Sequence, residues 1–283
     1  MGSLSLLRER DGVRVASASM SKSQGGERPR EVVVDVRGVP VFLREAGTGP
    51  TILFLHGPEE PGWPPALASL AREFRVVAPD HPGMGQTPLG DAIEEMDDLV
   101  YHYLDLIDAL GLGDPTLVGV SFGGWIAVEL AVPGSHRLGK LVLVDAAGLR
   151  VDGKDLPELY VISEHERDRL LLAEPKNADL AFPPTSDPER IERRITQWAN
   201  LARFTWQPYW HNPKLPRRLH HVSAPTLIVW GSEDRFTPPS HSKAFAEQIP
   251  KATVSMIPGA GHLAHLDQPD RFFEVVRAFV KNT

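Results

Sequence analysis

The chain has 283 residues, 42% hydrophobic and 24% charged, enough to bury one large core or two small ones. A formal net charge of −7 without a basic stripe excludes a typical nucleic-acid binder, and the pair Arg217-Arg218 is too short to supply one. The lack of cysteine removes disulfides, thiol nucleophiles and thiolate metal sites together, and it fits the reducing cytoplasm, where we expect the protein to act.

Residues 1–30 carry only a short apolar patch, less than a signal peptide needs, and read as a flexible N-terminal extension. No apolar run approaches the ~20 residues that span a bilayer, so no membrane partner is expected. From Glu31 the texture changes. EVVVDV and VPVFLREA are β-rich runs separated by Arg-Gly, which predicts a hairpin. TILFL and FRVVAP read as buried strands with a short helical segment, ALASLAREF, between them. DLVYHYLDLIDALGLG has apolar residues at helical spacing and a closing glycine. TLVGV, KLVLV and TLIVW are further strands, and FGGWIAVELA and HSKAFAEQI are helices. ATVSMI and PDRFFEVVRAFV close the chain as strand and helix.

Strands apolar on both faces, alternating with helices, predict an α/β fold with a mostly parallel central sheet flanked by helices. The alternation breaks at residues 148–223, where helical, Pro-punctuated and aromatic-rich sequence takes over. We read that stretch as a helical lid, with residues 31–147 and 224–283 forming the core. An insertion at the carboxyl end of a strand lies over the place where open α/β sheets bind ligands.

The stretch TLVGVSFGGWIAVELA carries the chemistry. Gly119-Val120-Ser121-Phe122-Gly123 is G-x-S-x-G between a strand and a helix, the setting of a nucleophile elbow. Small residues two before and two after the serine let neighbouring backbone close in, and the helix start favours an oxyanion. A serine hydroxyl needs a base, which itself needs an orienting acid. GAGHLAHLDQP offers His262, in a glycine turn after a strand, and His265, which we expect to face solvent or the lid hinge. For the acid, Asp234 in WGSEDRFTPP leads and Asp145, at the end of KLVLVD, is the runner-up. The order Ser121, Asp234, His262 is that of acyl hydrolases. No metal-ligand spacing is present, since His220-His221 is merely an adjacent pair, and no cofactor is expected.

With these residues the chain resembles the α/β-hydrolase fold superfamily from about Glu31 to its end, and most of all the bacterial serine hydrolases whose lid lies between the sixth and seventh strands. His56-Gly57 stands where the third strand ends. Asp80-His81-Pro82-Gly83-Met84-Gly85 resembles the D-x-P-G-x-G turn, followed by W-G-x-x-D at Trp230 to Asp234 and G-x-G-H at Gly259 to His262. Asp267 and Pro269 resemble the usual E-x-P tail. The resemblance implies an acyl-enzyme mechanism and an oxyanion hole in which Phe122 N–H is one donor. The family's second donor often follows the His-Gly pair, but Pro58 has no N–H, which shifts the expectation to Gly57 or Glu59.

The leading reading is therefore a serine hydrolase that cleaves a carboxylic ester of a small to medium apolar substrate, with Trp125, Trp206 and Trp210 as candidate pocket residues. The alternative on the same fold is a C–C bond hydrolase of ring-cleavage-type diketones or a cofactor-free dioxygenase. The C–C hydrolases commonly carry G-N-S-M-G-G at the elbow and Trp after the catalytic His, where this chain has Val120, Phe122 and Leu263. A ligand-binding homologue without turnover is the reading of another class. The sequence says nothing of oligomeric state.

Overall fold

A computed structural model describes residues 6–10, 13–17, 28–151 and 155–282. Its strands are β1 (Leu6–Arg10), β2 (Val13–Ser17), β3 (Arg30–Val36), β4 (Val39–Ala46), β5 (Thr51–Leu55), β6 (Arg75–Pro79), β7 (Thr116–Val120), β8 (Lys140–Val144), β9 (Thr226–Gly231) and β10 (Ala252–Ile257). They form one sheet in the order β1-β2-β3-β4-β6-β5-β7-β8-β9-β10. Pairings from β6 to β10 are parallel, while β1 to β4, and β4 with β6, are antiparallel. This is the mostly parallel α/β sheet that the doubly apolar strands predict: β7 and β9 are buried at every position.

The predicted hairpin is β3–β4, and its turn residues Arg37 and Gly38 both have positive φ, as a two-residue primed turn requires. The reading of residues 1–30 as an extension needs correction for two segments. β1 and β2 pair with each other, and β2 pairs with β3 at Ala16↔Val33 and Ser17↔Val32. The edge of β3 offers main-chain donors and acceptors that a further strand satisfies. The rest of residues 1–27 lies outside the described residues.

The helices of the core are α1 (Pro65–Leu70), α2 (Met96–Ala109) and α3 (Ser121–Gly134). Between β8 and β9 stand α4 (Glu164–Leu171), α5 (Ala178–Ala181) and α6 (Pro188–Thr205), and after β9 come α7 (Ser240–Gln248), α8 (Ala264–Asp267) and α9 (Pro269–Lys281). Helix α3 is buried nearly all round because SFGGWIAVELA has almost no polar face. The chain leaves β5 toward β6 on one side and returns past it to β7 on the other. The connections that follow β5 and β7 therefore leave the sheet in opposite directions, and His56-Gly57 and Ser121 stand at this switch point.

Candidate active site

Ser121 sits where β7 becomes α3, with φ of 51°, left-handed for a side chain that rarely adopts it. Such strain, about 1–3 kcal/mol, persists only where the surroundings enforce it. The two motif glycines explain how. A Cβ on Gly119 would stand 2.3 Å from Gly123 O, and one on Gly123 would stand 2.3 Å from Leu55 O. Gly123 N–H donates to His56 O (3.1 Å) and Ala147 N–H to Ser121 O (3.1 Å), tying the elbow to the strand ends on both sides.

The three residues that the sequence singled out meet here. Ser121 Oγ lies 2.6 Å from His262 Nε2, and His262 Nδ1 lies 2.9 Å from Asp234 Oδ2. All three are buried. Asp234 Oδ1 accepts from Phe236 N–H and Thr237 N–H, both at 2.9 Å, and the Thr237 hydroxyl donates to Oδ2 at 2.7 Å. The Phe236 ring stands edge-on to His262, with centroids 4.9 Å apart. Sequence reading missed Thr237 and Phe236. The signal was there in D-R-F-T-P, where a donor three residues past the acid can turn back on it.

Asp145, the runner-up acid, directs its carboxylate to other partners than His262. Its φ is 46°, its Oδ1 accepts Gly231 N–H (2.7 Å) and its Oδ2 accepts Ala264 N–H (3.3 Å). It joins the ends of β8 and β9 to the histidine loop. Burial, and then the neighbouring Asp234, push its carboxyl well above the usual range.

Around the oxyanion position the structure changes the expectation. Phe122 N–H belongs to the first turn of α3 and has no helical acceptor. Gly57 N–H is taken: it donates to Glu59 Oε1 at 3.0 Å, because the Glu59 side chain folds back over the loop. The main-chain N–H of Glu59 has no backbone acceptor of its own. Glu59 is only 5% exposed. Burial raises its pKa, but the neighbouring His265, His56 and the Gly57 N–H outweigh that and hold it at about 2.

His265 corrects a second expectation. It is 1% exposed, since the single turn of α8 aims it inward between Phe54 and Phe272. Its Nε2 stands 3.5 Å from Glu59 Oε1.

The segment between β8 and β9 is fastened over these loops. Gln197 Nε2 donates to Pro58 O (3.2 Å) and Glu59 O (3.1 Å), and Asn200 Nδ2 donates to Gly83 O (2.7 Å). Arg190 and Arg194 both pair with Glu60. Of the three tryptophans proposed for the pocket, Trp210 packs on Phe122 and Phe236. Trp125 is held inside by Glu129, which accepts its indole N–H at 3.1 Å. Trp206 is 52% exposed, because the chain leaves α6 with that side chain turned outward against Tyr160 and Tyr209.

Asp267 fixes the histidine loop to this segment. Its Oδ2 accepts from Gly261 N–H and Ala173 N–H, both at 2.8 Å, and its Oδ1 accepts from Asn177 Nδ2 at 2.9 Å. Asp267→Ala leaves these donors unpaired and is expected to cost about 2 kcal/mol. Thermal unfolding should show a fall in Tm of roughly 4–8 °C. An unchanged Tm would contradict this role.

Among the described residues no cluster of three or more His, Cys, Asp or Glu could hold a metal, and no helix is long and apolar enough to cross a membrane. Chemically, an imidazole between a hydroxyl and a carboxylate can take the serine proton while the carboxylate fixes its tautomer.

Comparison with known proteins agrees with this geometry. A family model described as the alpha/beta hydrolase family matches residues 52–275. The 2-hydroxy-6-oxo-6-phenylhexa-2,4-dienoate hydrolase of Burkholderia cepacia is 27% identical, over 89% of this chain and 96% of the relative. Among solved structures, a serine hydrolase involved in carbazole degradation is 25% identical with a TM-score of 0.73, covering 90% of this chain and all of its own (100%). A thermophilic esterase from Thermogutta terrifontis is 26% identical with a TM-score of 0.70, covering 89% of this chain and 98% of that one.

Proposed function

The chain belongs to the alpha/beta hydrolase family, and on that premise we propose that it is a serine hydrolase cleaving the C–C bond beside a carbonyl in a ring-cleavage-type substrate. The sequence alone put ester hydrolysis first. What moves the weight is likeness along most of the chain to a dienoate hydrolase, joined to a complete Ser121–His262–Asp234 relay.

In this reading Ser121 Oγ attacks the keto carbon as His262 Nε2 takes its proton. Asp234 and Thr237 hold the imidazole so that Nδ1–H points at the carboxylate. The oxyanion forms at Phe122 N–H, with Glu59 N–H as the second donor in this reading. Collapse of the tetrahedral adduct breaks the C–C bond, and His262 returns its proton to the departing carbon. Water, deprotonated by the same imidazole, then frees the acid from Ser121. The segment between β8 and β9 serves as a lid that keeps bulk water away.

Ester hydrolysis is the second reading, favoured by Val120, Phe122 and Leu263 in place of the Asn, Met and Trp common in C–C hydrolases. One comparison separates the two: kcat/KM for 2-hydroxy-6-oxo-6-phenylhexa-2,4-dienoate against p-nitrophenyl butyrate. C–C cleavage predicts at least about a tenfold preference for the dienoate. The reverse preference selects the ester reading. Rates equal to those of Ser121→Ala on both would overturn either.

A further inference from the structure

A cavity of about 270 Å³ opens beside the loop that follows β5, with Phe54, His56, Glu59, Trp63, His265 and Leu266 in its wall. Neither Ser121 nor His262 lines it, and Glu59 stands at the boundary. A methyl group built on Gly57 would meet Glu59 Oε2 at 2.6 Å and Ser121 Cβ at 3.1 Å. The carboxylate that borders the cavity is thus separated from Ser121 by Gly57 alone.

The wall of this cavity holds buried polar atoms without partners. They are Glu59 Oε2, His265 Nδ1 and Trp63 Nε1, while His265 Nε2 faces Glu59 Oε1 at 3.5 Å. A buried polar atom left unpaired is costly, most of all on a charged group. Here an acceptor and several hydrogen-bonding nitrogens share one small space, next to the apolar Phe54 and Leu266.

We propose that the cavity is a substrate subsite for an uncharged arm carrying a hydroxyl, which donates to Glu59 Oε2 and accepts from the Trp63 or His265 side of the wall. The pattern selects a hydroxyl over the charged alternatives. A carboxylate would face Glu59 and Asp80, while the cations of the same wall are committed, Arg44 to Asp80 (2.8 Å) and Arg190 to Glu60 (2.6 Å). An ammonium could satisfy Glu59 but could accept nothing from the indole N–H. The subsite deepens the proposed function and rests on its premise that Ser121 is the nucleophile. It holds for either bond type.

The test is the rate at which fluorophosphonates phosphonylate Ser121, followed by intact mass. Three probes share one alkyl arm, ended by a hydroxyl, a methoxy or a carboxylate group. The hydroxyl arm is expected to react about tenfold faster than the methoxy arm, with the carboxylate arm slowest. That hydroxyl-to-methoxy ratio should collapse toward unity in Glu59→Ala and shrink in Trp63→Phe. Equal rates for all three arms on the parent protein would overturn the subsite while leaving the nucleophile in place. No adduct with any arm would instead overturn the serine hydrolase reading beneath it.

Discussion

His262→Ala is expected to lower kcat on the order of 10⁴- to 10⁶-fold while the protein stays folded. The loss follows from the geometry, because Nε2 is 2.6 Å from Ser121 Oγ and is the base the hydroxyl needs. The fold should survive because Asp234 keeps three donors without the imidazole: Phe236 N–H, Thr237 N–H and the Thr237 hydroxyl. Steady-state kinetics on whichever substrate the parent turns over fastest, with circular dichroism alongside, decide the matter. A folded variant retaining a tenth or more of the parent kcat would contradict the relay.

Gly123→Ala carries the second large effect, and it acts on the backbone. The new Cβ would lie 2.3 Å from Leu55 O and 2.4 Å from His56 O, and neither carbonyl belongs to a flexible side-chain end. The elbow would have to move off the end of β5, disturbing the Gly123 N–H bond to His56 O and the position of Phe122 N–H. Overpacking against rigid backbone costs about 3 kcal/mol, so Tm should fall by roughly 6–12 °C, with activity lost well below that temperature. Wild-type Tm and kinetics in this variant would show that the turn is looser than described.

How much was legible in the sequence depended on whether the information was local. The elbow was readable because its glycines, strand and helix lie within a few residues of Ser121. His262 and Asp234 were readable because each closes a strand in a loop whose small or turn-forming residues leave one reactive side chain prominent. That Pro58 offers no N–H was readable too, since a missing donor is written in the residue itself.

What escaped was tertiary. Nothing in H-G-P-E-E says that Glu59 folds back to take the Gly57 N–H. Nothing in H-L-A-H says that one turn of α8 aims His265 into the core. Composition could not rank the tryptophans either, because Trp206 and Trp210 differ only in how the chain leaves α6. The pairing of β1 with β2 and of β2 with β3 was missed because LLRER and VRVAS are only five residues each, set in a polar stretch.

Whether Ser121 is a nucleophile activated by His262 is decided by treatment with diisopropyl fluorophosphate followed by peptide mass spectrometry. One phosphoryl adduct is expected on the peptide containing Ser121 in the parent protein, and its near absence from folded His262→Ala. Modification at another residue, or equal labelling of Ser121 in both proteins, would contradict it.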